Sequence, residues 1–114
     1  MNKKKLGKLG ELFAKHYLIL RGYQILYMNY LVNRYGEIDI IAIKEAKLEF
    51  IEVKTRTNNS KKMFGKAKDS IDYKKLQSMR KAINYFLTHD GKNYSYYNKK
   101  ISVITIEVDY FRVD

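Results

Sequence analysis

Along the first twenty positions apolar residues return at helical spacing. Leu6, Leu9, Phe13, Tyr17 and Leu20 form one stripe, which predicts an amphipathic helix over Leu6–Leu20, and Gly22 fits its C-terminal stop. Tyr23–Leu31 is rich in aromatic and branched residues and predicts a strand, followed by a turn at Asn33–Gly36. The period then shortens to two. Gly36–Lys44 and Lys47–Thr57 both alternate and are joined only by Glu45-Ala46, the pattern of a β-hairpin. A two-residue link sets Ile41 opposite Phe50, Ile43 opposite Leu48, Asp39 opposite Glu52 and Glu37 opposite Lys54. One hairpin face, with Ile38, Ile40, Ala42, Ile51 and Val53, is apolar throughout. The other is apolar near the turn and charged at the open end.

The polar stretch Thr57–Lys62 has no period and reads as a loop. Lys66–Thr88 predicts a second helix, with Ile71, Met79, Ala82, Ile83 and Phe86 in one stripe and Lys75 inside it. Gly91–Asn98 is a loop of tyrosines and asparagines. Ile101–Val108 is a strand apolar on both faces, as expected of one covered on both sides. The order is α-β-β-β-α-β, an α/β class with a mixed sheet flanked by helices. With no proline in the chain, glycine and asparagine mark the turns.

A length of 114 residues suits a single domain over 1–114 and leaves no room for separate cofactor and substrate domains. The absence of cysteine excludes disulfides, thiolate metal sites, iron–sulfur clusters and a cysteine nucleophile. His16 and His89 are too few for a histidine-rich zinc or copper site, and each suits a surface or structural role. A metal must then be held mainly by oxygen, which points to a hard cation such as Mg2+ or Mn2+. Lysine and arginine number 23 against 12 acids, a formal net charge of +11. Such an excess favours a polyanion, nucleic acid or an acidic membrane face; the plain alternative is compositional bias serving solubility, since lysine is scattered along the chain. No apolar run approaches the ~18 residues of a membrane span, and basic Met1–Lys5 does not continue into a secretory signal, so the expected location is cytoplasmic.

The charged end of the hairpin carries the candidate chemistry. Two carboxylates ~4 Å apart repel by about 4 kcal/mol at a near-surface dielectric. A divalent cation between Asp39 and Glu52 turns that repulsion into a binding site. The alternative is a solvated rim balanced by Lys54 and Arg56. Alternation also puts Glu52 and Lys54 of Glu52-Val53-Lys54 on one face. Glu52 can hold a metal that polarises a phosphate and acidifies a bound water, while Lys54 positions that water or neutralises developing charge. Otherwise the two form a same-strand ion pair worth little.

Asp39 followed by Glu52-Val53-Lys54 on the next strand, in α-β-β-β-α-β order, resembles the PD-(D/E)xK nuclease core, a restriction-endonuclease-like fold. More closely, the chain resembles the YraN-like family, small uncharacterised proteins related to archaeal Holliday-junction resolvases. The matching pieces are Gly7, Gly10-Glu11 and Ala14, then Gly22-Tyr23, Asn29, Gly36-Glu37-Ile38-Asp39 and Phe50-Ile51-Glu52-Val53-Lys54-Thr55-Arg56. Gly65 and the spacing Ile71, Lys75, Met79, Ile83, Phe86-Leu87 follow. The resemblance implies metal binding by Glu11, Asp39 and Glu52, and catalysis by Asp39, Glu52 and Lys54. It also implies support from Glu37, Arg56 and Lys75.

Lys75, a charge within an apolar stripe, needs a partner or a snorkelling route, and its removal is expected to leave stability equal or higher. Lys61, Lys62 and Lys66 are candidate nucleic-acid contacts. Tyr94, Tyr96 and Tyr97 suit either base stacking or an edge cluster. Two departures stand out: Ile38 replaces the proline of the motif, and Ser102 occupies a last-strand position where the family usually has aspartate. The implied function is Mg2+- or Mn2+-dependent endonucleolytic hydrolysis of DNA in preference to RNA, including branched or damaged DNA, by a monomer or a homodimer. The alternatives are a catalytically silent nucleic-acid-binding module of the same fold and a basic adaptor for a protein.

Overall fold

The computed structural model describes residues 2–57 and 71–108. Its elements are α1 (Lys3–Leu20), β1 (Gln24–Val32), β2 (Gly36–Lys44), β3 (Lys47–Thr57), α2 (Tyr73–Thr88) and β4 (Asn98–Val108), and a short 3-10 turn spans Lys92–Tyr94. The strands lie in the order β1-β2-β3-β4; the first two pairings are antiparallel and β3–β4 is parallel. A parallel pair needs a long crossover, and α2 lies within it. The result is the expected α/β fold, a mixed sheet with a helix on each face, consistent with a restriction-endonuclease-like core.

Local chemistry sets the helix ends. The Asn2 side chain accepts from the Lys5 backbone N–H at 2.8 Å, so α1 starts at Lys3, earlier than its apolar stripe. It ends in a Schellman pair, Tyr23 N–H to Leu18 O and Gly22 N–H to Ile19 O, with Gly22 at φ +91°. Asp72 caps α2 by accepting from Lys75 N–H at 2.7 Å from an extended backbone, so α2 begins at Tyr73 rather than at Lys66. The stretch 66–70, the predicted contacts Lys61, Lys62 and Lys66, and Gly65 lie outside the described residues.

Two cores share the sheet. Ile41, Leu48 and Phe50 meet Met79, Ala82 and Phe86 of α2 on one face. Ile40, Ala42 and Ile51 meet Ala14 and Leu18 of α1 on the other. The α1 contact corrects the apolar stripe. Gly10, Ala14 and Leu18 are the residues buried against the sheet, while Phe13 is 61% and Leu20 87% exposed. Close packing selects the small side of this helix, not its most hydrophobic one. At Gly10 an added Cβ would overlap the Thr55 side chain of β3, so only glycine allows this approach.

The hairpin register is as expected near the turn, with Ile41 opposite Phe50 and Lys44 opposite Lys47. The ladder stops at Ile40–Ile51, so Asp39–Glu52 and Glu37–Lys54 are not ladder pairs. Instead the Asp39 carboxylate accepts from Val53 N–H at 2.7 Å, replacing a main-chain partner. The faces also change here. Ile40 belongs to the α1-side core and Ile38 to the α2-side core, contrary to simple alternation. The neighbouring strand does the same: Met28, opposite Ile40, packs on the α1 side, and Tyr30, opposite Ile38, on the α2 side. Between Met28 and Tyr30, Asn29 takes a left-handed conformation at φ 55°, which asparagine tolerates well.

Candidate metal centre at the hairpin fork

The change of face redirects Asp39. Strict alternation would leave it with Ile41 and Phe50 beneath α2; the irregularity brings it toward α1. Gly10 seats α1 on Thr55, and the next residue, Glu11, reaches the same place. One carboxylate oxygen from each of Glu11, Glu37 and Asp39 then lies within 4.8 Å of the others. Asn29, at the irregular position of β1, donates from Nδ2 to Glu11 Oε1 at 2.9 Å. Lys8 Nζ lies 3.7 Å from the same oxygen. Glu11 is therefore held in place by two neighbours rather than left in solvent.

Asp39 is only 8% exposed. Burial first, then the charges of Glu52, Glu11 and Glu37, push its carboxyl up to about 7, against the opposing pull of the Val53 N–H bond. An acid so placed is costly to ionise unless a cation compensates it.

Glu52 lies outside this group of three. It shares the α2 side of β3 with Phe50, and its Oε1 lies 3.6 Å from Lys75 Nζ. That oxygen is buried and has no hydrogen bond. Its charge still acts on Asp39. Lys75 thus has the partner that a charge in an apolar stripe requires. Lys54 is half-buried on β3, opposite Thr105 of β4. Arg56 reaches across to β4, where Nη2 lies 3.2 Å from Glu107 Oε2.

Sequence reasoning passed over Glu49, which is 6% exposed. It accepts from Tyr23 Oη at 2.8 Å and from Ser102 Oγ at 2.6 Å. That bond first, then burial, raises the Tyr23 hydroxyl above its usual pKa. Ser102 therefore serves a buried carboxylate on the α1 side. The available signal was an acid two residues before Ile51 on an otherwise apolar face. Asn29, which holds Glu11, was visible in the sequence only as part of a motif. Tyr94 and Tyr97 meet edge to face at 5.5 Å and pack on the α2-side core, whereas Tyr96 is exposed. His16 is exposed, and His89 stacks on Tyr85.

The model of the uncharacterised protein family UPF0102 matches residues 10–108. The chain belongs to the UPF0102 family. A UPF0102 protein of Alkaliphilus oremlandii is 38% identical over 92% of this chain and 86% of its own length. One from Natranaerobius thermophilus is 35% identical over 93% and 86%, and one from Clostridium perfringens 40% over 97% and 84%. The UPF0102 match starts at Gly10, so it spans Gly10-Glu11, both hairpin strands and β4. No helix among the described residues is long and apolar enough to cross a membrane.

Proposed function

We propose that this UPF0102 protein is a metal-dependent phosphodiesterase acting on DNA. The observation that carries this reading is the convergence of Glu11, Glu37 and Asp39, with Asp39 buried among like charges. Three convergent carboxylates, joined by no histidine among the described residues and by no cysteine in the chain, suit a hard, oxygen-seeking cation, Mg2+ or Mn2+. Such an ion supplies positive charge that polarises a phosphate and acidifies water. Asp39 and Glu11 hold it, Glu37 adds a third oxygen, and Asn29 orients Glu11. Glu52 and Lys75 form a charged pair beside the group. Lys54 offers an ammonium against charge building on the phosphate. The net charge of +11 supplies attraction for the polyanion.

A catalytically silent DNA-binding module is the second reading, favoured by the Lys75 ammonium already lying against Glu52. A cleavage panel decides between them: duplex, single-stranded and four-way DNA with Mg2+ or Mn2+, using wild type and Asp39→Asn. Metal-dependent products from wild type and none from the variant support the enzyme. Binding without products under every condition leaves the silent module.

A further inference from the structure

Between α2 and the start of β4 lies a groove of about 470 Å3, within the size range of small-ligand sites. Its floor is apolar: Phe50 closes it from β3, with Ile83 and Leu87 of α2 on one side and Ile101 of β4 on the other. Its rim is cationic. Arg80 and Lys100 are exposed, and among the described residues neither is ion-paired. Lys99 is held at the rim, donating from Nζ to Ser95 O at 2.7 Å and Tyr97 O at 3.0 Å. An ammonium has three protons, so one remains for a ligand. The Asn84 amide adds a donor and an acceptor.

An apolar slot with an amide on one wall and cations at its mouth matches a nucleotide. The base lies on the apolar floor, its edge meets Asn84, and its phosphates meet Arg80 and Lys100. A paired base cannot reach such a floor, because it is stacked inside the duplex. Glu52 and its Lys75 partner lie one pleat along β3 from Phe50, about 7 Å on the same strand face, comparable to a single step along an extended nucleic-acid strand.

We infer that the groove between α2 and β4 binds an unpaired nucleotide one pleat from the Glu52–Lys75 pair, so that the protein selects DNA with a single-stranded segment. The inference deepens the proposed function by naming the substrate class, and rests on it only for the word substrate. The test uses the full isotope-labelled chain. Amide signals are followed by NMR while a short oligothymidine, thymidine monophosphate or inorganic phosphate is added. Both nucleotide probes should shift Ile83, Asn84 and Ile101. Shifts equally large with phosphate alone would reveal a plain anion site and overturn the inference, as would no shift at these residues.

The variant Arg80→Gln/Lys100→Gln changes two exposed side chains, and its affinity for blunt and tailed duplexes is then compared. About tenfold weaker binding to the tailed duplex, with less than about twofold loss for the blunt one, is expected. Equal losses on both duplexes would overturn the inference. Groove shifts in a wild-type protein that cleaves nothing support the inference and reject the nuclease reading alone. Cleavage without groove shifts does the reverse.

Discussion

At Asp39 burial and charge crowding act on one carboxyl. Its pKa of about 7 exceeds the ordinary 3.8, so the folded protein holds this proton more tightly than the unfolded chain. The resulting stabilisation is complete below about pH 4 and is lost as pH rises through about 7. The metal-free protein is therefore expected to lose on the order of 2 kcal/mol between about pH 5 and about pH 8, allowing for solvent screening. Asp39→Asn should flatten that slope in thermal melts and remove most of the Mn2+-dependent rise in melting temperature. An unchanged Mn2+ shift in the variant shows that Asp39 is not a ligand. Lys75 reverses its sequence-based expectation. With Glu52 Oε1 buried beside it, Lys75→Met should cost about 1 kcal/mol instead of stabilising. Adding Glu52→Gln should recover part of that loss, and denaturant unfolding of the double-mutant cycle measures the coupling.

At the scale of the element, α1 shows why the richest apolar stripe need not be the buried one. Its sheet-facing residues are Gly10, Ala14 and Leu18, because the backbone itself comes close to β3 at Thr55. Gly10→Ala should destabilise by about 1–3 kcal/mol through overpacking, and Thr55→Ala should relieve much of it. Phe13→Ser, on the exposed side, should change stability by less than about 0.5 kcal/mol. A similar cost for both single variants in urea unfolding would contradict the packing direction. In the hairpin, the two-residue link and alternation were enough to read Ile41–Phe50 and Lys44–Lys47. The fork was not legible, because period-two reasoning assumes every residue changes face. Asn29 and Asp39 mark where that assumption ends.

The whole molecule joins two features distant in sequence. The fork gathers carboxylates from α1 and β2, while the net charge of +11 spreads around the chain. A phosphate-tracking surface releases counterions, so DNA affinity should fall at least about tenfold between ~50 and ~200 mM salt. Anisotropy titrations that show no salt dependence would argue against such a surface. The mixed sheet supports the local acid group because β3 is paired on both sides, to β2 near the turn and to β4 along its length. Val53 N–H, beyond the last β2–β3 pair, is then available to Asp39.

The sequence by itself determined the element order, the hairpin link and its register near the turn, and the absence of any thiolate ligand, and it singled out Asp39, one of the three clustered acids. These depend on local spacing and composition, which a linear chain displays directly. Only the tertiary structure decided that Glu37 joins Glu11 and Asp39, that Glu52 turns to Lys75, and that Ser102 binds Glu49. Each of those outcomes depends on which face a side chain occupies after one strand irregularity and one close helix approach. A single shift in face exchanges all of a residue's neighbours, and no local pattern records it.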